Sequence, residues 1–308
     1  MARRIDVTGA GGVRLAAWEF GDPPKTDPAT DPTTGPATDP APGAGGGPGA
    51  PGVLLLHGLM GRASHWAVTA RRLSARHRAV ALDQRGHGRS DKPVERAAYT
   101  RDAYIEDAEA ALEQLGLGPA VLIGHAMGAL TAWQLAAKRP DLVHGLIICD
   151  MRASALGAAS QREWAEWFRA WPLPFATLAD VRKWFGEDDP WMERPNPARG
   201  EFYAEVMAES PDGWRPVFSP DRMLTSRETW VYDAHWEELA QVRCPTLVVR
   251  GLDGELGRAE AQEMVRVLPR GQYAEIADAG HLVHYDQPDA WLAAVEPFLD
   301  TLRPPLPG

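Results

Sequence analysis

Cysteine is scarce in this chain of 308 residues, and the two that occur, Cys149 and Cys244, lie in or beside apolar segments. A buried thiol packs as a small apolar group, so we expect two reduced cysteines rather than a disulfide. The sequence also has no Cys and His spacing of the kind that binds a metal. We therefore expect no metal and no cofactor.

Long apolar runs and an excess of positive charge are also missing. No run approaches the roughly 20 apolar residues of a membrane-spanning helix, and the first residues lack the apolar core of a secretory signal. The 32 Lys and Arg residues are outnumbered by 42 Asp and Glu residues, which gives a net charge of −10. This balance disfavours nucleic acid and anionic membranes as partners. We expect a cytoplasmic protein, as a monomer or homodimer.

One segment has almost no large apolar residues. From Asp22 to Gly52 the chain consists mainly of Pro, Gly, Ala, Thr and Asp. Such a composition cannot bury enough apolar surface to offset the entropy lost on ordering, so it predicts a disordered insertion in a surface loop. A proline-rich docking segment is the alternative interpretation.

Elsewhere, apolar runs alternate with helix-forming segments. Arg4 to Val7 and Val13 to Phe20 predict an antiparallel hairpin, and further strands are expected to begin near Val53, Ala79, Ala120, Leu142 and Cys244. Strands that alternate with helices predict an α/β fold with a doubly wound, mostly parallel sheet.

This rhythm stops between Met151 and Trp236, where eight of the twelve tryptophans occur. Trp164, Trp167 and Trp171 fall on one face at helical spacing. The pattern predicts a helical cap, residues 151–236, inserted into a core formed by residues 1–150 and 237–308. The rings are expected to pack the cap, to line an apolar pocket for a small-molecule substrate or ligand, or to do both.

The sequence Gly124-His125-Ala126-Met127-Gly128 follows an apolar strand and precedes a helix-forming run. It resembles the G-x-S-x-G nucleophile elbow of the α/β-hydrolase superfamily, in which the central side chain attacks the substrate. The resemblance places Ala126 at the nucleophile position. Alanine, however, has no oxygen with which to attack.

Two further turns resemble motifs of that superfamily. The His57-Gly-Leu-Met-Gly turn is similar to its oxyanion loop, which implies an oxyanion hole made by the backbone N–H groups of Leu59 and Met127. We expect His57 to orient this loop. Asp83 and Arg85 belong to a D-x-R-G-x-G-x-S turn, and we expect them to hold that turn by charge-assisted hydrogen bonds.

The resemblance also implies a catalytic histidine late in the chain, and His281 occupies that place. Its acid partner is either Asp253, which lies 28 residues before His281, or Asp150, which lies 24 residues after Ala126 at the end of another strand. We favour Asp253 because it follows the later strand. His284 is expected to line the pocket or to lie at the surface.

Three interpretations of Ala126 remain open. The interpretation that we favour is an inactivated form of a serine hydrolase for a small apolar or aromatic ester-like substrate. Alternatively, the chain is a natural pseudo-hydrolase that binds a ligand under the cap, or His281 activates water or abstracts a proton in a cofactor-independent hydrolase or lyase. Epoxide hydrolases and dehalogenases that need Asp at the elbow are disfavoured.

Overall fold

The computed structural model describes residues 2–21 and 50–302. The predicted insertion between Asp22 and Gly52 therefore lies outside the described residues, apart from its last three positions. Among the helices of the described part, none is long and apolar enough to cross a membrane.

The described residues form a sequence of strands and helices. The strands are β1 (Ala2–Thr8), β2 (Arg14–Phe20), β3 (Val53–Leu56), β4 (Ala79–Asp83), β5 (Ala120–His125), β6 (Val143–Cys149), β7 (Met207–Ser210), β8 (Gly213–Pro216), β9 (Thr246–Gly251) and β10 (Gly271–Ile276). The helices are α1 (Ala67–Leu73), α2 (Arg101–Gln114), α3 (Met127–Lys138), α4 (Gly157–Ala170), α5 (Leu178–Lys183), α6 (Pro197–Glu205), α7 (Pro220–Glu228), α8 (Trp236–Gln241), α9 (Arg258–Val267), α10 (Val283–Asp286) and α11 (Pro288–Thr301). Single helical turns add Ala10–Gly12, Ala63–Trp66 and Arg96–Tyr99, and a π-helical turn spans Trp184–Asp188.

Eight strands form one sheet in the order β1-β2-β4-β3-β5-β6-β9-β10. Six strands are parallel to one another, namely β4, β3, β5, β6, β9 and β10. The hairpin of β1 and β2 joins them at β4 in antiparallel pairing. Strands β3, β4 and β5 are buried at every position, as expected for parallel strands that are covered on both faces. The predicted α/β fold with a mostly parallel sheet is confirmed. Its carboxyl edge carries the loops after β3, β5 and β6.

The segment 151–236 connects β6 to α8, and it is called the cap segment below. It contains α4 to α7, but also the antiparallel hairpin of β7 and β8, which the prediction of a helical cap did not include. Gly213 at φ 130° closes the turn after Asp212, which accepts a hydrogen bond from Ser210 Oγ at 2.8 Å. The backbone of Trp214 also pairs with Phe175, which extends this small sheet.

Asp83, the last residue of β4, stabilises the turn that follows this strand. Its carboxylate accepts hydrogen bonds from Trp18 Nε1 at 2.9 Å, from Ala63 N at 2.7 Å and from Arg89 N at 2.9 Å. Three donors from three segments therefore meet on one buried carboxylate, which is the structural role expected for Asp83.

Arg85, in the same turn, forms a buried ion pair with Asp107 of α2. Its Nε and Nη2 atoms donate to the two carboxylate oxygens at 2.6 and 2.7 Å, while Nη1 donates to Ala98 O at 2.5 Å. Both side chains are 2% exposed. Arg85 thus ties the turn to α2, again as expected, and each charge depends on the other for compensation.

Replacing Asp107 with Asn should destabilise the fold by about 3–5 kcal/mol, because it leaves the buried Arg85 cation without a counter-charge. The free energy of unfolding in urea measures the effect. Glu296→Gln is the matched control, since its partner Arg72 lies in solvent and an exposed pair contributes little. An equal loss in both variants would contradict the assigned role of the Arg85–Asp107 pair.

Candidate active site

Ala126 lies between the end of β5 and the start of α3, with φ 46° and ψ −121°. A residue other than glycine is rarely found in this region, and the conformation costs on the order of 1–3 kcal/mol. Hydrogen bonds hold it in place: Ala126 N donates to Cys149 O at 2.9 Å, and Ala129 N donates to Ala126 O at 2.8 Å. The sharp strand-to-helix turn is therefore built into the surrounding backbone.

The glycines at both ends of this turn are needed for close backbone approach. A Cβ atom on Gly124 would lie 2.4 Å from the Cα atom of Ala129, and one on Gly128 would lie 2.3 Å from the carbonyl oxygen of Leu56. Real Cβ atoms do not come this close to backbone atoms. The glycine spacing thus allows α3 to pack directly on the ends of β3 and β5.

The loop after β3 passes next to Ala126. An added Cβ on Gly58 would lie 3.2 Å from the Ala126 Cβ. His57 supports the loop: Gln84 N donates to His57 Nε2 at 3.0 Å, so Nδ1 carries the ring proton and donates to Gly58 O at 2.7 Å. His57 is 1% exposed and both of its ring nitrogens are occupied by backbone, as expected for a residue that orients the loop.

His281 faces Asp150. The His281 Nδ1 atom lies 2.8 Å from Asp150 Oδ2. The Asp150 side chain is fully buried, and it also accepts hydrogen bonds from Glu255 N at 2.8 Å and Leu256 N at 3.3 Å. These backbone donors fix the direction of the carboxylate toward the imidazole.

The preference for Asp253 as the carboxylate that faces His281 is wrong. Asp253 forms an ion pair with Arg194, and its side chain is 47% exposed. The reason is the course of the loop after β9: its backbone N–H groups turn inward to Asp150, while the Asp253 side chain turns outward. Asp150 stands at the end of β6, the strand next to β5, and so lies beside the elbow.

The charge on His281 is stabilised by several carboxylates. Burial lowers its pKa, but the Glu255 carboxylate, 3.9 Å from Nδ1, counteracts this effect. The hydrogen bond and charge of Asp150, and the charge of Asp286, add to it and raise the pKa of His281 to about 9. The adjacent His125, whose ring centroid lies 4.5 Å away, is buried and its pKa is lowered. His281 is therefore the charged histidine of this pair at neutral pH.

His284 lies elsewhere than expected. It is 3% exposed, its ring stacks on Trp66 at a centroid distance of 3.9 Å, and it does not line the cavity described below. Burial lowers the pKa of His284 to about 3, so its imidazole is neutral. The expectation of a pocket-lining or surface residue is wrong, because α10 turns this side chain into the core.

A cavity of about 290 Å³ lies between the sheet edge and the cap segment. Core residues that line it are Leu59, Ala126, Met127 and His281. The cap segment contributes four tryptophans, Trp164, Trp167, Trp191 and Trp230. Trp171 does not reach the cavity and packs against Phe185 inside the cap segment, with ring centroids 4.8 Å apart. The aromatic residues of the cap segment therefore both pack the cap and line the cavity, as considered from the sequence.

The structure thus brings together Ala126, Leu59, Met127 and His281 at one cavity, with Asp150 behind the histidine. Glu255 also lines this cavity, and nothing in the sequence singled it out. Within residues 2–21 and 50–302, no group of three or more His, Cys, Asp or Glu side chains is arranged to hold a metal ion.

Comparisons with known proteins agree with this architecture. The chain is 30% identical over 261 residues to 2-(acetamidomethylene)succinate hydrolase of Mesorhizobium japonicum. The aligned region covers 81% of this chain and 88% of that protein. It is 25% identical over 262 residues to epoxide hydrolase 1 of Caenorhabditis elegans. Here the aligned region covers 81% of this chain but only 65% of that protein's length.

Among solved structures, that of E-2-(acetamidomethylene)succinate hydrolase superposes with a TM-score of 0.77 at 24% identity, covering 97% of this chain and 99% of the other. This similarity concerns the fold. The model of the family described as the alpha/beta hydrolase family matches residues 53–295. The chain therefore belongs to the alpha/beta hydrolase family.

Proposed function

We propose that the cavity is the acyl-binding site of a hydrolase of the Ser-His-Asp type, held in this sequence without its nucleophile. In this proposal Ala126 occupies the nucleophile position, His281 is the base, Asp150 is the acid, and Leu59 N and Met127 N form the oxyanion hole. The observation that carries the proposal is the 2.8 Å contact between His281 and a fully buried Asp150, at the cavity that Ala126 lines.

The backbone of Ala126 supports this role. A strained turn is kept in proteins where the position of its side chain matters, since a relaxed loop would join β5 to α3 at lower cost. A serine at this position would place its hydroxyl in the cavity that His281 lines. The strain therefore fits an elbow shaped for a nucleophile better than a purely structural turn.

The contacts of His281 also determine which nitrogen can react. Nδ1 faces Asp150, so Nε2 is the nitrogen available to take a proton. With a serine at position 126, Nε2 would remove the hydroxyl proton as Oγ attacks the acyl carbon, and the two backbone N–H groups would stabilise the oxyanion. Nε2 would then protonate the leaving group. In the second half of the reaction Nε2 would take a proton from water as the water oxygen attacks the acyl carbon, and would return it to the departing serine oxygen. The chain with alanine can bind the substrate but cannot form this bond.

The size and walls of the cavity point to a small substrate. A volume of about 290 Å³ with four tryptophans suits a compact apolar or aromatic group next to the reacting carbonyl. One relative is named as a hydrolase of 2-(acetamidomethylene)succinate and another as a hydrolase of (E)-2-((N-methylformamido)methylene)succinate, both small acyl compounds. We therefore propose a small ester-like or amide-like acyl compound as the substrate class.

The second candidate is a ligand-binding protein of the same fold without catalysis. The absence of a nucleophile at Ala126, in a cavity lined by four tryptophans, supports this candidate. In both candidates the same cavity holds the same kind of ligand. Introducing a serine hydroxyl at position 126 distinguishes the hydrolase from the ligand-binding protein.

Ala126→Ser should raise the rate of p-nitrophenyl acetate hydrolysis by at least about 10²-fold, because a site without its serine keeps only binding and oxyanion stabilisation. The rate is measured near pH 9, corrected for spontaneous hydrolysis, and should return to the parent level in Ala126→Ser/His281→Ala. An inert Ala126→Ser protein that remains folded would support the ligand-binding candidate.

The identity of the acid is tested in the Ala126→Ser background. Asp150→Asn should lower kcat by about 10⁴-fold, the effect expected when the acid can no longer fix the histidine tautomer. Asp253→Asn is the matched control and should leave kcat nearly unchanged, because Asp253 faces Arg194. A larger loss for Asp253→Asn than for Asp150→Asn would refute the assignment.

The pH dependence follows from the raised pKa of His281. The base must be neutral, so kcat/KM of Ala126→Ser should rise as the pH increases through about 9. Glu255→Gln should move this rise toward the ordinary 6.5 of histidine, because it removes a carboxylate 3.9 Å from Nδ1. Glu163→Gln, at the same cavity, serves as the control. Identical pH profiles for all three proteins would show that Glu255 does not set the pKa.

A further inference from the structure

Arg227 of α7 lines the cavity and is 1% exposed. Its guanidinium has neutral neighbours: Nη1 donates to Gln161 Oε1 at 2.8 Å, and Nη2 donates to Ser160 Oγ at 2.6 Å. The rings of Trp164 and Trp230 lie 4.7 and 5.4 Å from the guanidinium carbon. These contacts fix the position of the group, but none of them neutralises its charge.

The other arginines at this cavity are compensated. Arg152 pairs with Glu260 at 2.9 Å, and Arg199 pairs with the buried Asp189. For Arg227, no carboxylate of residues 2–21 and 50–302 lies within 4.0 Å, and its buried Nε atom has no hydrogen-bond partner there. Arg227 is thus the cavity arginine that has unsatisfied hydrogen-bonding capacity as well as an unpaired charge.

Two acidic side chains at the cavity act on Arg227 only at longer range. Glu255 and Glu163 favour its charged form, whereas burial disfavours it and lowers the pKa of Arg227 to about 10. The group is still a cation at neutral pH. The Glu255 side chain is about half exposed and Glu163 is exposed, so solvent screens both carboxylates.

We propose that Arg227 recognises a carboxylate of the ligand, so that the cavity selects acyl compounds bearing a second, anionic group. This rests on the proposed function for the position of the reacting carbonyl at Ala126. The carboxylate would lie on the cap side of the cavity, next to the guanidinium, where it supplies the missing counter-charge. The guanidinium is already held by Gln161 and Ser160, so little ordering is needed on binding.

Calorimetric titration of the parent protein tests the recognition without turnover. Monomethyl glutarate should bind at least about tenfold more tightly than dimethyl glutarate, which has the same chain but no charge. Arg227→Met keeps the packing against the tryptophans and should remove the preference, whereas Arg227→Lys should retain part of it. Arg152→Gln is the matched control and should keep the full preference, since Arg152 already has a partner.

Hydrolysis by Ala126→Ser separates this inference from the proposed function. Mono-p-nitrophenyl glutarate should be favoured over its methyl ester in kcat/KM, and Arg227→Met should bring the ratio of the two kcat/KM values close to one. An inert Ala126→Ser whose parent still binds the monoanion selectively through Arg227 would contradict the hydrolase and support the carboxylate site. Equal binding of the two glutarates by the parent, or a preference that survives Arg227→Met in a folded protein, would overturn the inference.

Discussion

The close approach of α3 to the ends of β3 and β5 is the constraint on which the site depends. It is possible only because Gly124 and Gly128 have no side chains, and it forces Ala126 into a conformation that alanine rarely adopts. The same approach brings Gly58 next to Ala126 and puts Leu59 and Met127 on one cavity. The strained residue, the neighbouring loop and the start of α3 are therefore consequences of one packing arrangement.

The carboxylates around His281 add an electrostatic constraint to this packing arrangement. Asp150 is buried, accepts hydrogen bonds from backbone donors and is directed at His281, while the half-exposed Glu255 carboxylate lies 3.9 Å from the same ring nitrogen. The carboxylates raise the pKa of His281 to about 9, so its imidazole is a cation at neutral pH in the cavity that Ala126 lines. On the cap side of the same cavity, Arg227 has no carboxylate partner among the described residues, whereas Arg152 and Arg199 each have one.

Local patterns were sufficient to predict the sheet, the hairpin at its edge and the glycine-flanked elbow, because each is encoded within a few residues. The carboxylate partner of His281 was not, since the distance along the chain does not show which way a loop side chain points. The order of strands offers a usable signal: Asp150 ends the strand next to β5, and Asp253 follows one strand farther away. The β7–β8 hairpin carries a Pro-Asp-Gly turn signal that the tryptophan pattern obscured.

Other features depend on contacts between distant parts of the chain. The unpaired state of Arg227 and the position of Glu255 beside His281 arise only when the cap segment and the loop after β9 pack at the sheet edge. His284 is only three residues from His281, yet its ring stacks on Trp66 in the core. Neighbours in sequence thus have different environments here, which residue type alone could not distinguish.

In the proposed function, the site is set for covalent acyl transfer and lacks one hydroxyl. Intact-protein mass spectrometry after incubation with a fluorophosphonate, which reacts with an activated serine, tests this proposal. We expect one adduct per chain in Ala126→Ser, mapped to position 126, and none in the parent or in Ala126→Ser/His281→Ala. No adduct in a folded Ala126→Ser protein, or an equal adduct without His281, would contradict the claim.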